Sequence, residues 1–355
     1  MNKVFERLFK MSKCKKNCAD GCVPERLGKV GGQAVLEGVM MKAGDRTVTT
    51  CRKEDGSIVV NDALFASVRK KHKILALPII RGVVSFIESM VLSVKTLGAS
   101  AEAMGIEDEE GKVEKWMKKH LGVSITDVVM IIGTVLGVAL SLFLFMYLPN
   151  LAAEGIDLLL GAAFSISLGV WRAALEGVVK IIIFITYLYL VSLIPDIKRT
   201  FMYHGAEHKT IACYEAGAEL TPENAKNYKR FHPRCGTSFI FVTIILSILI
   251  SSVVSIVFPA LTANRLIWMI TKILMLPVIM GVGFEFIQLA GKYPNKFTKL
   301  LSAPGLMMQR ITTVEPTDDI IEVAIEAMKA CLTGEVPEKK EEAEETDAEA
   351  SEENS

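Results

Sequence analysis

Histidine is scarce in this sequence, and neither sign of charge is in excess. Five of the 355 residues are histidine, and 40 basic side chains balance 40 acidic ones. Five histidines are fewer than a histidine-rich di-iron membrane oxygenase requires, so this class of enzyme is excluded. The glycine pair at residues 31–32 is followed by neither a Walker lysine nor a G-x-G-x-x-G pattern, which argues against a nucleotide-binding loop. We also expect no nucleic-acid partner.

A secretory signal is also missing, and no disulfide framework is expected. Residues 1–16 are basic and lack the apolar core of a signal peptide. Because cytosolic thiols are kept reduced, we expect the cysteines to stay free of disulfides. The thiols of Cys14, Cys18 and Cys22 could surround a metal, but their C-x3-C-x3-C spacing does not match a zinc ribbon. We interpret them as incidental cysteines of a mobile basic leader, residues 1–28.

Charged side chains are absent from two long apolar runs, residues 128–153 and 235–264. Each run is long enough to cross the ~30 Å hydrocarbon core of a bilayer. Two weaker runs, residues 177–195 and 266–287, contain one and two charged side chains. We therefore predict about four transmembrane helices, with the lipid bilayer as a partner of the chain.

Lys and Arg are distributed unevenly between the predicted loops. They are abundant in the first 125 residues and in the loop 196–235, whereas residues 154–176 and 259–265 contain one arginine each. By the positive-inside rule, the basic segments lie in the cytoplasm. Four spans then place both termini in the cytoplasm, and we expect a multi-pass protein of a bacterial cell membrane.

Residues 74–97 are apolar but carry three charged residues spaced seven apart. This spacing places the charges near one stripe of a helix. We predict a helix that lies in the membrane interface or packs against the spans, and not a fifth crossing. The three charged residues are Arg81, Glu88 and Lys95.

Prolines mark two expected helix ends. The first span should end near Pro149, and we interpret residues 154–170 as an amphipathic segment on the outer face. The second span should end at Pro195, where a new helix starts and runs towards Gly217.

That new helix carries the first candidate site, the H-x-x-E-H sequence of His204, Glu207 and His208. Residues four apart lie on one face of a helix, so both imidazoles can reach a single ion. A metal lowers the pKa of a bound water, and Glu207 is placed to take its proton as general base. The same order of residues marks the inverzincin metalloproteases. Two solvated surface histidines are the alternative.

A second cluster of ligand residues follows at His232 and Cys235, on a turn before the third span. Structural zinc has four nitrogen or sulfur ligands, whereas catalytic zinc keeps one position open. His204 and His208 with one residue of this turn would form an open site, and all four residues would form a closed one. We expect a divalent metal, with zinc favoured because thiolate and imidazole ligands suit it.

Three weaker candidates lie elsewhere in the sequence. Gln33 and Glu37 belong to the glycine-rich segment that opens a predicted β-rich module. In this module the alternating residues 46–52, the turn 54–57 and residues 58–60 predict a hairpin. Glu285 lies near the cytoplasmic end of the fourth span, where an ionisable group is a candidate for function. It could be a fourth ligand or a partner of a ligand, and the alternative is a carboxylate paired with Lys292 or Arg310.

Three blocks of sequence carry a resemblance when taken together. They are G-G-Q-A-V-L-E-G-V-M-M at residues 31–41, H-G-A-E-H-K at 204–209 and H-P-R-C-G-T-S at 232–238. With the segment 309–316, they resemble the YqhQ-like family of bacterial membrane proteins, and the similarity covers about residues 28–332. The resemblance implies a multi-pass plasma-membrane protein of unknown function, in a family often described as predicted metal-dependent enzymes. It supplies no substrate.

The expected fold is mainly α, a polytopic helical membrane protein with a small N-terminal cytoplasmic β-rich module. After residue 334 the chain is acidic and lacks aromatic residues, which is typical of a disordered tail. The predicted segments are the leader 1–28, the β-rich module 29–73, an interfacial helix and linker 74–125, a transmembrane domain 126–290 with the metal-site loop 196–236, a cytoplasmic segment 291–333 and the tail 334–355.

Three classes of function fit these features. The first is a cytoplasm-facing, membrane-embedded metal-dependent hydrolase that acts on a peptide or a lipid-linked substrate. The second is a membrane scaffold or assembly factor, working with other membrane proteins, whose metal is structural. The third is a small-solute transporter, suggested by the charged residues Lys272 and Glu285 in the fourth span. The lack of an evident internal repeat argues mildly against transport.

Overall fold

The computed structural model describes residues 25–104, 125–165, 167–232, 234–292 and 296–334. Cys14, Cys18 and Cys22 of the predicted leader lie outside the described residues, and so does the predicted acidic tail after residue 334.

A four-stranded antiparallel sheet opens the described chain. Its strands are β1 (Val30–Val35), β2 (Gly38–Ala43), β3 (Arg46–Arg52) and β4 (Ile58–Leu64), and they pair in the order 1-2-3-4. Consecutive strands pair with each other because the turns between them are short. Between β1 and β2 the turn is so tight that Glu37 adopts a positive φ of 47°. The predicted β3–β4 hairpin is confirmed.

Helices make up most of the remaining structure, so the predicted mainly helical fold with a small N-terminal sheet is confirmed. The helices are α1 (Ile80–Ala103), α2 (Ile125–Leu142), α3 (Leu148–Phe164), α4 (Arg172–Ser192), α5 (Pro195–Glu215), α6 (Pro222–Lys226), α7 (Gly236–Val257), α8 (Pro259–Thr262), α9 (Arg265–Lys292), α10 (Lys296–Thr312) and α11 (Asp318–Thr333).

Five stretches of helix in the described residues are long and apolar enough to cross a membrane. Apolar side chains on their outward faces, such as Leu136, Leu249 and Leu274, are more than half exposed, as expected for surfaces that face lipid. Four such stretches were predicted from the sequence. The fifth is α1, whose length and composition would also allow it to cross a membrane. The stretches are Ile80–Ala103, Ile131–Phe164, Arg172–Ser192, Gly236–Val257 and Arg265–Leu289.

The predicted helix end near Pro149 is wrong. A π-helical turn, Phe143–Tyr147, joins α2 to α3, and Pro149 lies in the first turn of α3. Proline has no N–H to donate, and a π turn already interrupts the regular ladder of hydrogen bonds, so the helix continues through it. The segment 154–170 therefore begins inside α3, which ends at Phe164 and is capped by Ser165 with a φ of +53°.

Helix α1 joins the helical bundle to the sheet. At its start, Gly82 lies so close to α9 that an added Cβ would be 2.9 Å from the Cα of Gly281. Further along, Leu92 is buried with Val35, Met40 and Cys51 of the sheet. The beginning of α1 thus packs on the C-terminal half of α9, and its second half packs on the sheet.

The main core of the described chain lies between the sheet, α5 and α11. Residues of α11 such as Ile320, Ile321 and Met328 are fully buried against the strands and α5. The opposite face of α11 is exposed, which explains its amphipathic sequence. This packing brings the N-terminal module, the H-x-x-E-H helix and the C-terminal segment into one unit.

Candidate metal centre

Helix α5 places the two histidines of H-x-x-E-H side by side. The helix starts at Pro195, whose fixed φ suits the first helical turn, and extends to Glu215. His204 and His208 follow each other after one turn, and their ring centroids are 4.4 Å apart. The helical spacing therefore brings the two imidazoles together on one face, as the sequence predicts.

The turn before α7 brings a thiol to the same place. Cys235 is the N-cap residue of α7, and its Sγ lies 3.3 Å from Nε2 of His204. One ligand atom from each of His204, His208 and Cys235 lies within 4.8 Å of the other two. Two nitrogens and one sulfur at this separation match the ligands that zinc prefers.

Both imidazoles are oriented by backbone carbonyls. Nδ1 of His204 donates to the Thr312 carbonyl at 2.8 Å, and Nδ1 of His208 donates to the Arg230 carbonyl. A carbonyl can only accept, so the protons lie on Nδ1, and each Nε2 has a free lone pair. Metal-binding histidines in proteins are usually held in this way. The donor atoms therefore fit a divalent cation.

Burial and local hydrogen bonds favour the protonation states that ligands need. Burial lowers the pKa of His208, which favours the neutral imidazole. Burial acts to raise the pKa of Cys235, but the interactions of its sulfur with His208 and Thr237 outweigh it, so the pKa of this thiol is lowered. A neutral imidazole and a thiolate are the forms that bind metals.

Glu207 lies beside the cluster and points towards the sheet. It is 5% exposed, and burial raises its pKa to about 8, with His204 acting in the opposite direction. Among the described residues no hydrogen bond reaches its carboxyl oxygens. A Cβ at Gly32 would lie 3.0 Å from Cγ of Glu207 and 2.6 Å from the Met40 carbonyl oxygen. Only glycine therefore fits at residue 32 without a shift of β2.

His232, the fourth predicted ligand, has a different partner. Its ring centroid is 5.5 Å from that of His208, but its Nε2 lies 3.7 Å from Oε2 of Glu215. Glu215 is buried and also accepts from the Gly28 N–H at 2.8 Å and from Arg234. The structure thus separates the four predicted residues into three that converge and one that pairs with a carboxylate.

Gln309, which was not among the predicted site residues, holds the turn before α7 in place. Its Oε1 accepts from the His232 N–H at 2.8 Å, and its Nε2 donates to the His232 carbonyl at 2.8 Å. Gln309 is fully buried in α10. The segment after it passes so close to α5 that a Cβ at Gly205 would lie 2.2 Å from the Val314 carbonyl oxygen. Gln309 belongs to the segment 309–316 that contributes to the family resemblance, and this is the feature of the sequence that could have identified it.

The three weaker candidates lie apart from the cluster. The amide of Gln33 bonds Ser93 and Thr96, which fastens β1 to α1. Glu37 pairs with Arg199, and the Tyr203 hydroxyl donates to it at 3.3 Å. Glu285 forms a bidentate ion pair with Arg81, a partner that the sequence did not indicate. Each of these contacts joins two elements of the fold.

Comparison with known proteins places the chain in a family. Residues 77–334 match the family described as protein of unknown function (DUF1385). The chain is 37% identical over 309 residues to the uncharacterized protein YqhQ of Bacillus subtilis (strain 168), covering 85% of this chain and 92% of that protein. No solved structure matches. The predicted resemblance is confirmed, and the chain belongs to the DUF1385 family of proteins of unknown function.

Proposed function

We propose that the protein is a metal-dependent hydrolase whose divalent cation, with zinc favoured, is held by His204, His208 and Cys235. The observation that supports this proposal is the number of converging ligands. Three donor atoms lie within 4.8 Å of one another, and His232 is directed to Glu215. A structural zinc site has four protein ligands, whereas a catalytic site has three and an open position. The arrangement therefore favours catalysis over a purely structural role.

In this proposal Glu207 is the general base. A cation held by His204, His208 and Cys235 would supply Lewis acidity, which lowers the pKa of a water molecule. Glu207 precedes His208 in α5, and its carboxyl lies near the cluster without a hydrogen bond among the described residues. The positive charge of the cation would lower the pKa that burial raises to about 8, and the carboxylate would then accept the proton of that water. The carbonyls of Thr312 and Arg230 hold the two imidazoles in position.

The site lies near the C-terminus of one candidate transmembrane helix, α4, and at the N-terminus of another, α7. Helix α5 follows directly after α4, and Cys235 caps α7. By the uneven distribution of Lys and Arg, we place this end of the bundle in the cytoplasm of a bacterial cell. Because the second half of α1 packs on the sheet, α1 lies along this surface in our proposal, and four stretches cross. A site at this level suits a membrane or lipid-linked substrate.

Replacing His232 tests the open-site arrangement. His232→Ala should keep the metal, because its ring is paired with Glu215. Cys235→Ala should lose most of it, because a thiolate ligand is removed. Metal content of the purified proteins, measured by atomic emission, distinguishes the two variants. If both lose their metal, the site has four ligands, and the structural alternative is preferred.

Cysteine labelling tests the proposed orientation. In intact cells, a membrane-impermeant thiol reagent should not label a cysteine that replaces Lys226, which lies in the basic loop. It should label a cysteine that replaces the exposed Ala263, between α8 and α9. The unmodified chain measures the background from native cysteines. Labelling at residue 226 and protection at residue 263 would reverse the orientation.

A further inference from the structure

The loop between β4 and α1 carries exposed apolar side chains close to exposed lysines. Ile74 is 70% exposed and Leu77 is 51% exposed, and Lys71 and Lys73, which precede them, are exposed as well. Contact of large aliphatic side chains with water is unfavourable. Apolar and basic side chains that share one exposed segment are typical of a surface that contacts a membrane.

Residues 68–88 form a hairpin in which this loop runs back along α1. At the open end, the carboxylate of Glu88 accepts from the Ser67 hydroxyl at 2.8 Å and from the Val68 N–H at 2.7 Å. At the closed end, Ile79 adopts a φ of +68° and reverses the chain into α1. Glu88 lies nine residues after Ile79, so the 68–88 hairpin is about 13 Å long.

The exposed aliphatic side chains lie at the closed end of the 68–88 hairpin, and we call residues 74–79 its tip. The Arg81 N–H donates to the Leu77 carbonyl at 2.8 Å, and the Leu77 N–H donates to the Ile74 carbonyl at 3.2 Å. These bonds hold the tip against the first turn of α1. Ile79, the last residue of the tip, is 41% exposed. The tip is therefore an apolar end on a hairpin whose other end is attached to the sheet.

Helix α9 fixes the depth of the tip. A Cβ at Gly281 of α9 would clash with Ile79. One turn later, Glu285 accepts from the Ile79 N–H at 3.3 Å and pairs with Arg81. Gly281 lies eight residues, or about 12 Å, before the end of Arg265–Leu289, a stretch that is long and apolar enough to cross a membrane. In a membrane that α9 crosses, the tip therefore lies at the depth of the acyl chains.

Two lysines above the tip are free to bind an anion. Three carboxylates contact the 68–88 hairpin and each is paired with a base, namely Glu88 with Arg69, Asp45 with Lys70 and Glu285 with Arg81. Lys71 and Lys73 make no ion pair or hydrogen bond within the part of the chain that the structure describes. They come between Val68, which is level with Glu88, and the tip. A lysine in this position can keep its ammonium among lipid headgroups while its stem contacts acyl chains.

We propose that the 68–88 hairpin inserts its tip into the membrane leaflet on the side of the sheet and binds anionic phospholipids through Lys71 and Lys73. The tip gains burial among acyl chains, and the two ammonium groups donate charge-assisted hydrogen bonds to lipid phosphates. Clusters of lysine next to an apolar membrane segment recognise anionic lipids in this way. The second half of α1 stays on the sheet. This site does not depend on the proposed hydrolase function.

Two observations favour lipid over a protein as the partner of this surface. The tip packs on α9, whose outward side chains such as Leu274 are exposed as lipid-facing side chains are. The positive charge of Lys71 and Lys73 complements the negative charge of anionic headgroups. Lipid therefore matches both the apolar tip and the free lysines above it.

Quenching of tryptophan fluorescence by brominated acyl chains tests the insertion in the full-length protein. In nanodiscs of brominated phosphatidylcholine, the tryptophan added by Ile74→Trp should be quenched. Lys329→Trp is the control and should not be quenched, because Lys329 is on the exposed face of α11, which is turned away from α5. The unmodified protein, with three tryptophans, gives the background. An unquenched tryptophan at residue 74, as expected if a second copy of the chain covered the tip, would overturn the insertion.

The choice of lipid is tested by placing bromine on one lipid of an equal mixture. The Ile74→Trp protein should be quenched about fivefold more strongly by brominated phosphatidylglycerol than by brominated phosphatidylcholine, because an ammonium near the membrane surface favours anionic lipid by about this factor. Adding Lys71→Gln and Lys73→Gln should remove the preference but keep the quenching. Adding Lys198→Gln, at an exposed lysine in the first turn of α5, should leave the preference unchanged. Equal quenching by the two lipids, or a preference that survives both glutamine replacements, would overturn the lipid site.

Discussion

The Glu207→Gln variant should retain its metal and its fold but lose activity. The amide has almost the same shape as the carboxyl group, yet it cannot accept a proton from water. Loss of a general base typically slows a reaction by ~10²–10⁴-fold. Because the substrate is unknown, activity is followed as complementation of a deletion strain, with metal content measured on the purified variant.

Two other results for Glu207→Gln would change the interpretation. A variant that keeps its metal and complements fully would favour the structural alternative. A variant that binds metal ~10–100-fold more weakly would show that Glu207 supports a ligand from outside the coordination shell. The circular dichroism spectrum and the unfolding midpoint serve as controls for the fold, since Glu207 is buried beside the sheet.

The largest expected loss of metal follows from replacing either helix histidine. His204→Ala and His208→Ala should each lose most of the bound ion, because each removes one of three converging donor atoms. His72→Ala is a matched control, since His72 is exposed and lies outside the cluster. Atomic emission on purified protein gives the stoichiometry. Undiminished metal in both helix variants would end the metal hypothesis.

The spacing of residues along one helix made part of this site predictable. His204 and His208 had to share a face of α5 once a helix formed there, because the helical period leaves no other arrangement. The different partners of His232 and Cys235 could not be predicted. They depend on the buried carboxylate of Glu215 and on the hydrogen bonds between His232 and Gln309. No local pattern encodes contacts between residues so far apart in the chain.

In the fold, too, features that depend on neighbouring residues were predicted, whereas features that depend on distant contacts were not. The alternation in β3 and the turn after it predicted the β3–β4 hairpin, because both signals are local. The path of the chain through Pro149 was missed, since a π turn has no simple signature in the sequence. The packing of α11 on the sheet was also missed, because an amphipathic face indicates burial but does not identify the surface that covers it.

The position of α11 has a consequence for biosynthesis. The sheet is made first and α11 last, with every candidate transmembrane stretch between them. Until residues 318–333 leave the ribosome, the core of the sheet and α5 lacks its third element. The unit that carries His204 and His208 is therefore completed only after the membrane helices have been synthesised. In the proposed metal site, loading would therefore follow the synthesis of α11, because an incomplete chain has no finished core around His204 and His208.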